Sequence, residues 1–255
     1  MKHVYHLSLS ESQIDGAQYA ILPGDPQRAK DIAIELDPKS KEIAYKREFR
    51  TFISYHNNIP VIVTSTGIGG PSTAIVIDEL AKLGVKTFLR IGTTGAIQDY
   101  IQIGDVIITT GSVRMDGTST HYAPIEYPAI ASYHVVHALV QAASQTNIKA
   151  HIGISASSDT FYPGQERYDS YSGYVRNALK GMKEEWRILN VLNYEMESST
   201  LLTVCSSMGL QSGCITGVVV NRSLSEEVTQ EGLIQGEKNA INVGIQAIKI
   251  LLSSH

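Results

Sequence analysis

The chain has 255 residues, enough to bury one sizeable core, as α/β domains of this length commonly do. A formal charge of −4 with no long Lys/Arg run argues against a nucleic-acid backbone as partner. No stretch approaches the roughly 20 apolar residues that span a bilayer, and the opening MKHVYHLSLS lacks the apolar run of a signal peptide, so a soluble, cytoplasmic protein without membrane or nucleic-acid partners is expected.

Strand-like and helix-like runs alternate along the chain. Residues 19–22 (YAIL) read as a short apolar strand that stops at Pro23-Gly24-Asp25-Pro26. A helix over 28–36 follows, with Ala29, Ile32, Ala33 and Leu36 on one face. Residues 43–45 and 51–55 read as strands, and Asn57-Asn58 is a turn leading into a strand over 61–63. Pro71 suits the first turn of a helix that runs to about Leu83 and is apolar on most sides, hence buried. Strands over 87–91 and 105–109, a helix through 138–143 and a strand over 150–155 come next.

Residues 157–173 are rich in Tyr, Ser, Asp and Gly without a period, which predicts a long loop of the kind that carries function. A helix over 197–208, a buried strand over 214–220 and an amphipathic helix over 239–252 complete the pattern. Cys205 and Cys214 lie in apolar surroundings with neither metal nor CxxC spacing, which predicts two reduced core cysteines. There is no internal repeat and no linker. The expectation is one α/β domain, residues 1–255, around a mixed sheet.

Several polar groups stand where strands end, the place where open α/β sheets receive ligands. Gly24 lets backbone N–H groups approach an anion. Arg28 lies at the start of a helix, where a cation and the helix N-terminus both favour an oxyanion. Arg90 stands in an apolar strand just before Gly92-Thr93-Thr94-Gly95, and a guanidinium is rarely buried without an anion. Singly, each has a plain reading: a turn glycine, or an arginine paired with a structural carboxylate. The run Gly67-Ile68-Gly69-Gly70-Pro71 does not fit GxGxxG and no P-loop lysine follows, so neither a dinucleotide cofactor nor an ATPase is expected.

Asn193-Tyr194-Glu195-Met196-Glu197 ends a short strand and opens a helix. Its carboxylates could cap that helix or accept two vicinal sugar hydroxyls, and both readings stand. Phe161, Gln165 and Arg167 combine a ring, an amide and a cation that suit a flat, amide-bearing heterocycle. No GxSxG elbow, no HExxH and no histidine ligand spacing is present, and His6 is most simply an exposed residue near the terminus. Together these residues describe a site for phosphate, sugar and base that works by positioning and electrostatics.

Five ordered motifs carry a resemblance over nearly the whole chain: PGDPQR (23–28), STGIGGPS (65–72), RIGTTGAI (90–97), SSDTFYPGQERYD (157–169) and NYEMES (193–198). The chain resembles the nucleoside phosphorylase family, which includes hexameric purine enzymes, and within it the branch acting on uridine. The resemblance implies a three-layer α/β sandwich around a mixed sheet. It implies reversible phosphorolysis of uridine to uracil and ribose 1-phosphate, with inorganic phosphate as co-substrate and no required cofactor. It implies phosphate binding by Gly24, Arg28, Arg90 and Thr93, with Arg47 supplied by a neighbouring subunit. Ribose falls to Thr93, Glu195, Met196 and Glu197, with His6 of a neighbour near the 5′-hydroxyl. Uracil falls to Phe161, Gln165 and Arg167. Glu48, Ile68 and Ser72 match a potassium site between paired subunits of a hexamer built as a trimer of dimers.

One departure separates the chain from the purine enzymes. Where those carry a Ser-Asp pair, it reads Val218-Val219-Val220-Asn221-Arg222. The missing aspartate would have protonated a departing purine. A uracil leaving group needs no such acid if Gln165 and Arg167 meet its charge. Arg222 has two readings, a contact to the base or a structural role. A purine phosphorylase or a nucleosidase of the same fold, and a non-catalytic nucleoside sensor, are the rival functions.

Overall fold

The computed structural model describes residues 2–253, and strands alternate with helices through most of that length. In chain order the elements are β1 (His3–Val4), β2 (Leu9–Ser10), β3 (Tyr19–Leu22), α1 (Pro26–Leu36), β4 (Lys41–Lys46), β5 (Phe49–His56), β6 (Ile59–Thr64), α2 (Gly70–Leu83), β7 (Thr87–Ala96) and β8 (Val106–Met115). They continue with β9 (Ala129–Ile130), α3 (Tyr133–Thr146), β10 (Ala150–Ser158), α4 (Met182–Ile188), β11 (Asn193–Glu195), α5 (Ser198–Ser207), β12 (Gln211–Asn221) and α6 (Gln230–Ser253).

All strands but β1 and β2 form one mixed sheet in the order β11-β10-β8-β12-β7-β3-β6-β5-β4, with β9 beside β8. Strands β6, β3, β7 and β12 run parallel, whereas β8 is antiparallel to β12 and β5 to β6. Strand β11 pairs with both β10 and β7, so this half of the sheet closes on itself.

The central strands are apolar on both faces because helices cover both. Ile21, Val61, Val63, Leu89 and Ile91 pack with α1, α3 and α6. Their neighbours Ala20, Leu22, Ile62 and Phe88 point the other way, toward α2, α5 and the β1–β2 hairpin. The result is the expected three-layer sandwich. Each fully buried Ile or Phe in it contributes about 1.5–3 kcal/mol relative to exposure. Helix α6 lies so close to β12 that a Cβ at Gly217 would stand 1.8 Å from the Gly236 carbonyl oxygen, and Gly217→Ala would force the two apart.

Most elements extend beyond their sequence patterns, α6 by the most, since it starts at Gln230 rather than at 239. Strand β7 does not stop at Ile91 but continues to Ala96, because β12 pairs along it to its end and Gly95 and Ala96 also pair with β11 as the sheet closes. Strands β8 and β10 run on together to Met115 and Ser158, with a register shift at Gly153/Ile154. The β1–β2 hairpin and the seven-residue α4 are too short to leave a period in the sequence. Between β10 and α4 the chain is the expected long loop, interrupted by single turns at Pro163–Gln165 and Asn177–Leu179.

Both cysteines are buried and unpaired. Burial pushes the Cys205 thiol up to about 12 and raises that of Cys214 as well, which keeps both as unreactive thiols. No helix among the described residues is long and apolar enough to cross a membrane.

Candidate active site

Strands β3, β6, β7 and β12 bring their carboxyl-terminal segments to a cavity of about 650 Å³. After β3 the chain turns through Pro23 and Gly24. The Asp25 carboxylate then accepts the N–H groups of Gln27 (2.5 Å) and Arg28 (3.0 Å), while Pro26 takes the first helical position, so α1 starts here. The loop after β6 is stitched to this turn: Thr66 N donates to Pro23 O and Gly67 N to Gly24 O, both at 2.9 Å. A Cβ on Gly24 would come within 3.2 Å of the Gly67 carbonyl, so glycine is what lets the two loops meet.

Arg90 projects from β7 and is 5% exposed. Its Nη2 donates to Glu197, while Nε and Nη1 are buried with no hydrogen-bond partner among the described residues. Buried donors left open are costly, so two N–H groups here await an acceptor. Burial opposes charge on both members of the pair. The Glu197 carboxyl is raised by that burial against the pull of Arg90; the guanidinium, with Glu197 beside it, is held above its ordinary value. Glu197 Oε1 also accepts the Gly69 N–H at 2.7 Å, which joins β7, the loop after β6 and the start of α5.

Of the two readings of Asn193–Glu197, capping describes Glu195. Its Oε2 accepts the N–H groups of Glu197 (2.9 Å) and Ser198 (2.8 Å), and Oε1 accepts the Ser198 hydroxyl at 2.5 Å. Both carboxylates nevertheless border the cavity, as does Met196. Arg28 is also engaged: its Nη2 donates to Glu237 Oε2 on α6 at 3.1 Å, and its Nε lies 2.9 Å from Oε1.

The other end of the cavity is built by the long loop. Gln165 is buried at its turn, and the Arg167 guanidinium lies over the Phe161 ring, 4.3 Å from its centroid. Arg167 Nη1 donates to Glu226, and its Nε is buried without a hydrogen-bond partner among the described residues. Burial, and then the neighbouring Arg222 charge, pull the Arg167 guanidinium below its ordinary value against the counter-charge of Glu226. Val219, Val220 and Val228 supply an apolar wall.

Every expected site residue except Arg47, His6 and Arg222 borders this one cavity, Glu48, Ile68 and Ser72 included. Arg47 stands exposed in the β4–β5 turn with φ 56°, while the next residue, Glu48, reaches the cavity. His6 sits in the β1–β2 turn, part-exposed and bonded to Glu79. Arg222 makes structural bonds within this chain, and with its Nη1 buried without a hydrogen-bond partner among the described residues, both of its readings stand. Its guanidinium is buried, donates to the Gln165 carbonyl at 2.9 Å and to Glu226 Oε2 at 2.8 Å, and so holds the base-side loop from behind. Glu79, Glu226 and Glu237 were not legible beforehand, because a glutamate in a polar stretch or helix looks like any solvated one until its partner is placed. The apolar wall could have been found from the valine run in the last strand.

A family model described as the phosphorylase superfamily matches residues 18–252. The chain is similar to a uridine phosphorylase of Haemophilus influenzae, with 52% identity over 253 residues, 99% of this chain and 100% of that protein. It is 53% identical over 249 residues to a uridine phosphorylase of Escherichia coli, covering 98% of each chain. A uridine phosphorylase of Thermococcus kodakarensis is 45% identical over 247 residues, 97% of this chain and 86% of that one.

Proposed function

The chain belongs to the phosphorylase superfamily, and we propose that it is a uridine phosphorylase, a pentosyltransferase that splits uridine with inorganic phosphate into uracil and α-D-ribose 1-phosphate. The observation that carries the reading is the single cavity. It holds open guanidinium donors of Arg90 and a buried carboxylate at one end, and a ring, an amide and a second guanidinium at the other.

Phosphate is held by Gly24, Arg28, Arg90 and Thr93. The ribose lies against Thr93, Met196, Glu195 and Glu197, with Glu197 accepting hydroxyl hydrogens. A phosphate oxygen attacks the anomeric carbon as the bond to the ring nitrogen of uracil breaks, through an oxocarbenium-like state. The departing electron pair spreads over the uracil carbonyls, where Gln165 and Arg167 donate hydrogen bonds that strengthen as charge develops. Fixing both reactants supplies much of the rate. The long loop over the base excludes water, which would otherwise compete with phosphate. Arg222 acts on the base through its hold on Gln165 and Glu226.

Arg47 and His6 serve the cavity of a neighbouring subunit, in a hexamer built as a trimer of dimers within the cytoplasm. Their position outside their own cavity supports this. The cation reading also fits the residues present. A Cβ on Gly67 would lie 2.7 Å from Glu48 Cγ and 3.6 Å from Ser72 Oγ, so a carboxylate and a hydroxyl converge beside the Ile68 carbonyl. Hard oxygens carrying one charge suit potassium, which would clamp paired subunits there.

The test is a spectrophotometric assay of uridine, thymidine and inosine with and without phosphate. Uridine should be consumed only with phosphate, releasing uracil and ribose 1-phosphate in equal amounts. Phosphate-independent cleavage would mean a nucleosidase, faster inosine turnover a purine enzyme, and uridine binding without uracil release a sensor.

A further inference from the structure

The turn between β1 and β2 is gripped from beneath by one residue of α2. Glu79 Oε1 accepts the His6 backbone N–H at 2.9 Å and lies 2.7 Å from His6 Nδ1, while Oε2 accepts the Leu7 N–H at 2.8 Å. Glu79 is 7% exposed, and each of its hydrogen bonds among the described residues goes to this turn. Burial pushes its carboxyl up, but the Leu7 and His6 donors outweigh it and hold the carboxyl below its ordinary value. An ionised carboxylate only accepts, so Nδ1 carries the hydrogen, and in the neutral ring Nε2 keeps its lone pair.

A second fastening comes from β4. Lys46 Nζ donates to the Tyr5 carbonyl at 2.7 Å and sits 3.9 Å over the Tyr5 ring, which in turn meets the His6 ring edge-on at 5.0 Å. Lys46 directly precedes Arg47. The segments that carry Arg47 and His6, both outside their own cavity, are therefore fastened to each other through Lys46 and Tyr5.

We infer that Glu79 is the positioning residue for His6. It fixes the ring and its tautomer, and presents Nε2 as the acceptor for the 5′-hydroxyl of the nucleoside in the neighbouring subunit. The inference rests on the reading that His6 serves that subunit's site. Glu79 touches neither substrate nor phosphate. It acts through the geometry of one imidazole, so its effect is confined to substrates that carry a 5′-hydroxyl.

The experiment measures kcat/KM for uridine and 5′-deoxyuridine in the full-length protein, in His6→Ala, in Glu79→Gln and in the double variant. His6→Ala should lower the preference for uridine over 5′-deoxyuridine by about fivefold or more, the worth of one hydrogen bond. Glu79→Gln should lower it by a similar factor and add nothing in the His6→Ala background. In Glu79→Gln the rate with 5′-deoxyuridine and the phosphate KM should stay within about twofold, which separates positioning from a loss of folding. Should Glu79→Gln not assemble, Glu79→Asp, with the charge kept and the reach shortened, carries the same comparison. An altered preference in His6→Ala with none in the Glu79 variant overturns the role of Glu79. No change in His6→Ala overturns the underlying placement of His6. Equal losses with both substrates in Glu79→Gln would make Glu79 a structural residue only.

Discussion

Arg28 borders the cavity already paired, so that if it holds phosphate, as proposed, Glu237 competes with phosphate for it. The Arg28 side chain is 12% exposed and that of Glu237 28%, with a closest approach of 2.9 Å. Opposite charges about 4 Å apart near a protein surface attract by about 4 kcal/mol before desolvation. Solvent reaches the glutamate, so most of that gain is offset, and about 1 kcal/mol of net coupling remains. Phosphate that takes over the Arg28 donors must give up this coupling. Glu237→Gln keeps the size and an acceptor oxygen but removes the charge. Its phosphate KM should fall about fivefold while the uridine KM stays unchanged. Initial rates with phosphate varied at saturating uridine measure this directly, and raising the ionic strength should narrow the difference between wild type and variant. An unchanged phosphate KM would refute the competition. A raised one would show instead that Glu237 holds Arg28 in its working position.

Two further outcomes follow from other parts of the molecule. Gln165→Ala and Arg167→Ala should each lose on the order of 3 kcal/mol of transition-state stabilisation, about a hundredfold in kcat/KM for uridine, with the phosphate KM little changed; a normal rate with both substituted would sink the base-site assignment. Asp105 accepts the Gln102 N–H at 3.0 Å and lies 2.8 Å from His151 Nε2 and 3.4 Å from Lys149 Nζ. Burial raises its carboxyl, but His151, the Gln102 N–H and Lys149 outweigh this and hold it below its ordinary value. The stability it supplies is therefore present above about pH 4 and is lost as pH falls through its folded value. Asp105→Asn should cost about 1 kcal/mol in denaturant unfolding at neutral pH, and the gap should close in acid. A gap that persists unchanged to about pH 2 would exclude the charge as its cause.

The chemistry at strand ends was legible because Arg90 and the Gly24–Arg28 turn break local rules. An arginine in an apolar strand and a Pro-Gly-Asp-Pro stop both demand an explanation, and each explanation leads to the same cavity. Phe161, Gln165 and Arg167 were legible as a long loop with unusual composition. The partners were not. Glu226 lies in a polar segment after β12, and Glu79 and Glu237 lie on helices; nothing in their spacing announces that they hold Arg167, His6 and Arg28. The closure of the sheet was hidden for a related reason. Gly92–Gly95 reads as the end of a strand, and its pairing with β12, and at Gly95 also with β11, both about a hundred or more residues later in the chain, makes it strand. Arg222 shows the limit most plainly, since its sequence position suits the base and its side chain supports the loop behind it.

Helix α2 ties two of these places to one rod. Just before its first turn, the Gly69 N–H holds Glu197 inside this chain's own cavity. Ten residues later, about 15 Å along the axis, Glu79 holds the β1–β2 hairpin that carries His6. If His6 works in a neighbour's cavity, as proposed, two active sites are surveyed from one baseline. A small rotation of the helix, harmless to the core, would shift the Glu197 carboxylate and the His6 imidazole together, because both are held from a single element.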